Sequence, residues 1–117
     1  MAKLNIGMSF SGGGYRAATF HLGTLSFLNT IHIDDGKSLL DCVSVMSTVS
    51  GGTITGLKYM LALAQKQDII TMVHELFDFL YNEDLIEDAF ANIEKGRTGY
   101  GASLIKIMAS IYDAKLF

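Results

Sequence analysis

The chain has 117 residues, of which 50% are hydrophobic and 18% are charged, and it contains twelve glycines and no proline. This apolar content excludes an intrinsically disordered chain, and the length allows one small domain with a hydrophobic core. The formal net charge is −3 and the basic residues are scattered, so we expect no nucleic-acid-binding surface, which would need clustered Lys and Arg.

The first half of the chain is predicted to alternate between strands and helices. Alternating apolar and polar residues indicate the first strand. A mostly apolar set at helical spacing indicates one face of the first helix: Ala17, Phe20, His21, Thr24, Leu25, Leu28 and Ile31. In chain order we predict a strand at 4–10, a helix at 15–31, a turn at 34–36, a buried strand at 42–46 and a helix at 53–65. This order is typical of a parallel sheet covered by helices, the α/β class.

The second half, residues 57–117, is predicted to form successive amphipathic helices. Asp68 is expected to cap the N-terminus of one of them. The apolar face of that helix is predicted to carry Ile69, Val73, Leu76, Phe77 and Leu80. Further predicted elements are a short helix at 85–93, a loop at 96–101 and a helix at 104–112.

The first motif is the run Ser-Gly-Gly-Gly-Tyr-Arg-Ala at residues 11–17, between the first strand and the first helix. Three glycines leave backbone N–H groups uncovered, and the helix N-terminus adds unpaired donors and a partial positive charge. Such a turn suits an anion, either a phosphate or the oxyanion of an acyl-transfer intermediate. Arg16, in the first helical turn, is either solvated or assists that anion site.

The second motif is Thr48-Val49-Ser50-Gly51-Gly52, between the second strand and the second helix. A serine in a sharp turn among small residues resembles the nucleophile elbow, usually written G-x-S-x-G, which projects its hydroxyl above the sheet. Gly52 matches the final glycine and Gly51 relieves crowding, whereas Thr48 departs from the first glycine. Taken alone, Ser50 is better explained as a helix N-cap.

The two motifs together are more specific than either one. Neighbouring parallel strands would bring both turns to the carboxyl edge of the sheet, where α/β proteins form ligand sites. Acyl transfer needs an activated hydroxyl and hydrogen-bond donors aimed at the developing oxyanion, and these two turns would supply both.

A nucleotide-binding module is the competing interpretation. Gly12-x-Gly14-x-x-Ala17 satisfies the dinucleotide-binding fingerprint, and Asp34 and Asp35 lie about twenty residues further on. These acids, however, lie in a turn before the second strand, and the fingerprint gives no reason for the motif at 48–52. An inactive structural fragment is a third interpretation.

In this order and spacing, the motifs resemble those of the patatin-like phospholipase family. The resemblance rests on residues 11–17, 20–23 and 49–52, and residues 111–117 also resemble the bacterial members. It implies a three-layer α/β/α lipid acyl hydrolase with a Ser–Asp dyad, a lipid ester as substrate and no cofactor. By their places in the motifs, Gly12, Gly13 and Gly14 correspond to the oxyanion hole and Arg16 to the basic neighbour of that loop. Ser50 corresponds to the nucleophile, and Gly51 and Gly52 to the nucleophile elbow.

The resemblance also implies a catalytic aspartate in an Asp-Gly-Gly or Asp-Gly-Ala motif, and this sequence contains neither. Asp35-Gly36 is followed by Lys37 and precedes the predicted nucleophile, so we expect it to be structural. Residues 1–117 are therefore expected to be the N-terminal part of a patatin-like phospholipase domain, truncated before its aspartate and inactive alone.

The remaining candidate residues have simpler explanations. His21, His32 and His74 lack the spacing of a catalytic triad or of a metal site, so we expect ordinary hydrogen-bonded histidines and no metal. Cys42 has no partner for an internal disulfide and predicts a reduced thiol. No apolar stretch reaches the ~20 residues of a transmembrane helix and no signal peptide is found, so we expect a cytoplasmic protein whose membrane contacts are at most peripheral.

Overall fold

The computed structural model describes residues 3–33, 36–82, 84, 87, 91 and 104–117. Outside the described residues lie the predicted loop at 96–101, the first two residues of the turn at 34–36, and the predicted helix at 85–93 apart from residues 87 and 91. The chain divides into two compact units, Met1–Phe77 and Asp78–Phe117.

The first unit is built on two parallel strands, β1 (Ile6–Phe10) and β2 (Val43–Thr48). The two strands pair along the whole of β1, which confirms the predicted parallel arrangement. The first strand begins at residue 6 rather than at residue 4, because its pairing with β2 begins there. A short 3₁₀ turn, Leu40–Cys42, leads directly into β2. The prediction of a buried strand at 42–46 is wrong in its bounds and its burial, because β2 begins after this turn and Val45 is 63% exposed.

Two helices, α1 (Gly14–Thr30) and α2 (Gly51–Ala64), each follow a strand and pack against each other. The hydroxyl of Thr55, which is completely buried in α2, donates a hydrogen bond to the carbonyl oxygen of Ala18 in α1 at 2.7 Å. Helix α2 also contacts both strands. The buried apolar residues of this unit are Phe10, Ala17, Ala18, Leu22, Leu25, Leu40, Tyr59, Ala62, Met72 and Leu76.

The predicted face of the first helix is wrong in one respect, the place of Phe20. Its side chain is 72% exposed, because α1 presents Ala18 to α2 and Phe20 lies about 200° around the helix from that residue. His21, predicted on the same face, is buried.

Helix α3 (Ile69–Asn82) begins as predicted, and the face that it buries overlaps the predicted one only in part. The Asp68 carboxylate accepts a hydrogen bond from the backbone N–H of Thr71 at 3.0 Å, which confirms Asp68 as the N-cap. The predicted apolar face is only partly right, because the fully buried residues of α3 in the first unit are Met72 and Leu76. Phe77 is 49% exposed. This helix is apolar over more than one face, so its pattern does not determine which face packs inward.

The second unit contains the end of α3 and helix α4 (Leu104–Lys115). The rings of Phe79 and Tyr112 lie 5.8 Å apart between centroids, and Phe79, Ile111 and Leu116 are buried. Within the part of the chain that the structure describes, none of the helices has the length and apolar character needed to cross a membrane.

Candidate active site

The two glycine motifs leave the sheet side by side, at the carboxyl ends of paired strands. Phe10, the last residue of β1, lies opposite Thr48, the last residue of β2. Just beyond this pair, the backbone N–H of Val49 donates a hydrogen bond to the carbonyl oxygen of Phe10 at 3.0 Å. Both turns therefore lie at one edge of the sheet, where α/β proteins bind their ligands.

Ser50 occupies the sharp turn between β2 and α2 with backbone angles that are rare for a residue with a side chain. Its φ is 50° and its ψ is −119°, a strained conformation that costs a non-glycine residue about 1–3 kcal/mol. Two backbone hydrogen bonds close the turn. The N–H of Gly52 donates to the carbonyl oxygen of Val49 at 2.9 Å, and the N–H of Thr53 donates to the carbonyl oxygen of Ser50 at 2.8 Å.

The Ser50 side chain is exposed and makes no capping hydrogen bond to α2, although Ser50 occupies the N-cap position. The structure therefore contradicts the interpretation of this serine as a side-chain N-cap. A strained strand-to-helix turn that presents an exposed hydroxyl has the geometry of a nucleophile elbow.

The glycines that follow Ser50 allow the two turns to touch. A Cβ atom on Gly51 would overlap the carbonyl oxygen of Gly14 and would lie 2.8 Å from its carbonyl carbon. A Cβ atom on Gly52 would lie 2.7 Å from the carbonyl oxygens of both Phe10 and Ser11. Glycine at both positions therefore relieves crowding, as the sequence predicts. The crowding comes from the backbone of the first motif and, at Gly52, also from Phe10, the last residue of β1.

The loop at 11–14 adopts backbone conformations that favour glycine. Gly13 has a φ of 139° and Gly14 a φ of 60°. The first hydrogen bond of α1 runs from the N–H of Ala17 to the carbonyl of Gly13 at 3.4 Å, so the backbone N–H groups before Ala17 precede the helical ladder. All three loop glycines are exposed. This arrangement provides backbone donors, together with the positive end of the helix dipole, for an anion.

The loop and the elbow meet at Gly12 and Ser50. A Cβ atom on Gly12 would lie 3.2 Å from the Cβ of Ser50, so the loop backbone lies directly against the candidate nucleophile. Arg16 is exposed in the first turn of α1, which begins at the same loop. The structure thus brings the two predicted turns together, Gly12, Gly13 and Gly14 on one side and Ser50, Gly51 and Gly52 on the other, and places Arg16 in the helical turn that follows the loop.

Thr48, which replaces the first glycine of the elbow pattern, is accommodated by two contacts that the sequence analysis missed. A Cβ atom on Gly56 would lie 2.5 Å from Cγ2 of Thr48, so Gly56 provides the space for the threonine side chain. The Thr53 hydroxyl also donates a hydrogen bond to Oγ1 of Thr48 at 3.1 Å. A glycine inside a predicted helix is the signal that could have indicated such a close approach.

His21 contacts the loop, which sequence reasoning also missed. Its Nε2 lies 3.1 Å from the carbonyl oxygen of Ser11, and its ring stacks on Phe10. His21 is thus a hydrogen-bonded histidine, as expected, but its partner is a residue of the first motif. The available signal was a polar side chain on an apolar helix face, because buried polar groups almost always have a partner.

The other two histidines lie elsewhere. His32 is exposed, with its Nδ1 at 3.0 Å from the carbonyl oxygen of Thr30, and His74 is exposed on α3. Among the described residues there is no cluster of three His, Cys, Asp or Glu side chains that could hold a metal ion.

Comparison with protein families gives one match over most of the chain. The model of a family described as patatin-like phospholipase matches residues 8–114, which include both glycine motifs. Comparisons with curated proteins and with solved structures gave no match. The family match does not favour the nucleotide-binding alternative, and Asp34 and Asp35, on which that alternative depends, lie outside the described residues.

Proposed function

Because this chain belongs to the patatin-like phospholipase family, we propose that its site hydrolyses a carboxylic ester of a lipid through Ser50. The family match supports a lipid acyl hydrolase. The observation that carries it is the contact between the two turns, in which an exposed serine in a strained elbow lies against the glycine backbone at 12–14.

In the proposed reaction, Oγ of Ser50 attacks the ester carbonyl carbon while its proton passes to a general base. The backbone N–H groups of the loop at 12–14 donate hydrogen bonds to the oxyanion that forms. The tetrahedral intermediate then breaks the bond to the lipid alcohol, which leaves with the proton held by the base, and an acyl ester remains on Ser50.

A water molecule completes the cycle. It attacks the acyl ester and gives a proton to the base, and the second tetrahedral intermediate expels the Ser50 oxygen, which recovers that proton. The products are the free lipid alcohol and the carboxylic acid. No step needs a metal or an organic cofactor, because the nucleophile, the base and the oxyanion donors are protein groups.

We propose that the general base is an aspartate outside these 117 residues, because the sequence contains neither Asp-Gly-Gly nor Asp-Gly-Ala. Residues 1–117 would then supply the nucleophile and the oxyanion donors of a larger domain and would be inactive alone. Arg16, exposed in the first turn of α1, would add positive charge beside the loop amides.

The test compares Ser50→Ala with Ser47→Ala in the full-length protein. Ser47 is an exposed serine in the penultimate position of β2, three residues before the candidate nucleophile, and is therefore a matched control. Hydrolysis of a short-chain p-nitrophenyl ester should fall by about 10⁴-fold or more in Ser50→Ala, because the nucleophile is lost. Ser47→Ala should retain turnover, and both variants should unfold as the wild type does. Equal turnover in the two variants would refute the assignment of Ser50.

A further inference from the structure

We propose that His21 is a positioning residue that orients the backbone N–H of Gly12 in the loop against Ser50. The inference rests on the proposed function for its effect on hydrolysis, while the orientation itself is a property of the fold. His21 lies in α1, seven residues after the helix begins at Gly14, and its side chain is only 5% exposed.

The imidazole ring is held from two sides. Its centroid lies 4.3 Å from that of the Phe10 ring with 12° between the planes, and the Phe20 ring meets it edge-on at 5.6 Å. Its Nε2 atom lies 3.1 Å from the carbonyl oxygen of Ser11 and 3.4 Å from the Ser11 hydroxyl. A carbonyl oxygen only accepts hydrogen bonds, so the bond to Ser11 requires a proton on Nε2.

The carbonyl of Ser11 and the N–H of Gly12 belong to the same peptide group. In a planar trans peptide these two groups point in opposite directions, so whatever fixes the carbonyl also fixes the direction of the N–H. The Ser11 oxygen is held by His21 and lies close to Gly52, where a Cβ atom would approach it to 2.7 Å. Glycine at 12 has no side chain to restrict its backbone angles, so the orientation of the Ser11–Gly12 peptide depends on these contacts of the Ser11 carbonyl.

The hydrogen bond explains why a histidine rather than an apolar ring occupies this position. Stacking on Phe10 would suit phenylalanine equally well, and burying an imidazole without a partner is unfavourable. A hydrogen bond to the Ser11 carbonyl also polarises its peptide group, which makes the attached Gly12 N–H a stronger donor. Through this one bond, His21 would affect both the direction and the donor strength of a group beside Ser50.

The activity test uses three variants of the full-length protein. His21→Phe keeps the stacked ring and removes the donor, His21→Gln keeps an amide donor, and His74→Phe on the exposed face of α3 is the control. We expect kcat for a short-chain ester to fall about 10- to 100-fold in His21→Phe with KM within about twofold, because a misplaced oxyanion donor weakens transition-state binding. His21→Gln should recover most of the loss. If His21→Phe retains the wild-type kcat, or if His21→Gln is equally impaired, the inference is wrong.

A second measurement does not depend on activity. These 117 residues contain only two Ser-Gly pairs, Ser11-Gly12 and Ser50-Gly51. Labelling serine with ¹³C at its carbonyl and glycine with ¹⁵N therefore selects two amide resonances from this segment in a carbonyl-filtered NMR spectrum, and Ser50→Ala removes one and assigns the other.

The Gly12 resonance should move in His21→Phe and stay near its wild-type position in His21→Gln. In the wild type, the His21 Nε2 should carry a slowly exchanging proton. An unshifted Gly12 resonance in a folded His21→Phe variant overturns the inference. An unprotonated Nε2 in the wild type overturns it even where the variants fail to fold. An inactive wild type that still shows these signals overturns the proposed function and leaves the positioning intact.

Discussion

Replacing Gly51 with alanine tests the contact between the two turns, on which the site depends. A Cβ atom there would overlap the carbonyl oxygen of Gly14 and would lie 2.8 Å and 2.9 Å from its carbonyl carbon and amide nitrogen. All three obstructing atoms belong to the backbone, so no side chain can rotate away to make room. The overlap must be relieved by a movement of one turn relative to the other.

The size of that movement sets the expected effects. Bringing the overlapping atoms back to ordinary van der Waals separation requires the turns to part by roughly 1 Å. Overpacking of this kind typically lowers the free energy of unfolding by about 1–3 kcal/mol. A displacement of roughly 1 Å between Ser50 and the loop at 12–14 should also lower the rate of ester hydrolysis by about 10²-fold.

Gly23→Ala is the matched control. Gly23 is exposed in α1, and a Cβ atom there would have no neighbour within 4 Å. Alanine in a helix interior should raise the free energy of unfolding by about 0.5–1 kcal/mol and leave turnover unchanged. Urea denaturation and steady-state hydrolysis of a short-chain ester measure both quantities in the full-length protein. If Gly51→Ala is as stable and as active as Gly23→Ala, the close approach of the turns is wrong.

Two further predictions concern the packing of the helices. Thr55→Val removes the buried hydroxyl that bonds to α1 and should lower the free energy of unfolding by about 1–2 kcal/mol. The control Thr19→Val, at an exposed hydroxyl, should change the free energy of unfolding by less than about 0.5 kcal/mol. Equal losses in the two variants would refute this packing. Hydrogen bonds from Gln67 and Lys58 lower the pKa of Glu75 from its ordinary 4.5, so the carboxylate stabilises the fold above that pH, and its contribution disappears as the pH falls through the lowered pKa. Because that side chain is 46% exposed, Glu75→Gln should lower the free energy of unfolding at neutral pH by at most about 1 kcal/mol. In urea denaturation the difference from wild type should shrink steadily as the pH is lowered below 4.5, and a difference that does not depend on pH would contradict this interpretation.

Features that depend on neighbouring residues in the chain could be predicted from the sequence. Asp68 is predictable as a helix N-cap because its carboxylate accepts from the backbone N–H of Thr71, only three residues further along the chain. The adjacency of the two glycine turns was also predictable, since parallel strands place their carboxyl ends at one edge.

Features that depend on which partner covers a surface could not be predicted in this way. Phe20 lies on an apolar stripe of its helix yet faces away from α2, and α3 buries Met72 where the pattern favoured Val73. In each helix the apolar residues extend over more than one face, and the packing partner selects the face that is buried. Helical periodicity alone does not contain this information.

The contacts that support the loop and the elbow could not be predicted for a related reason. Gly56 makes room for Thr48, and His21 bonds to the carbonyl of Ser11, ten residues earlier in the chain. These pairs meet only when a helix folds back onto the turn that precedes it. The sequence therefore predicts that the two turns meet, while the structure was needed to identify the residues that contact each turn.

The most direct test of the central claim is covalent labelling of the full-length protein with a fluorophosphonate probe, followed by peptide mass spectrometry to locate the adduct. Such probes react with serines whose hydroxyl is activated and whose oxyanion donors are in place. The account predicts an adduct on Ser50 and none on the nearby exposed Ser47, with labelling slowed in Gly51→Ala. An adduct on another serine with Ser50 unmodified, in a protein that hydrolyses lipid esters, would contradict it.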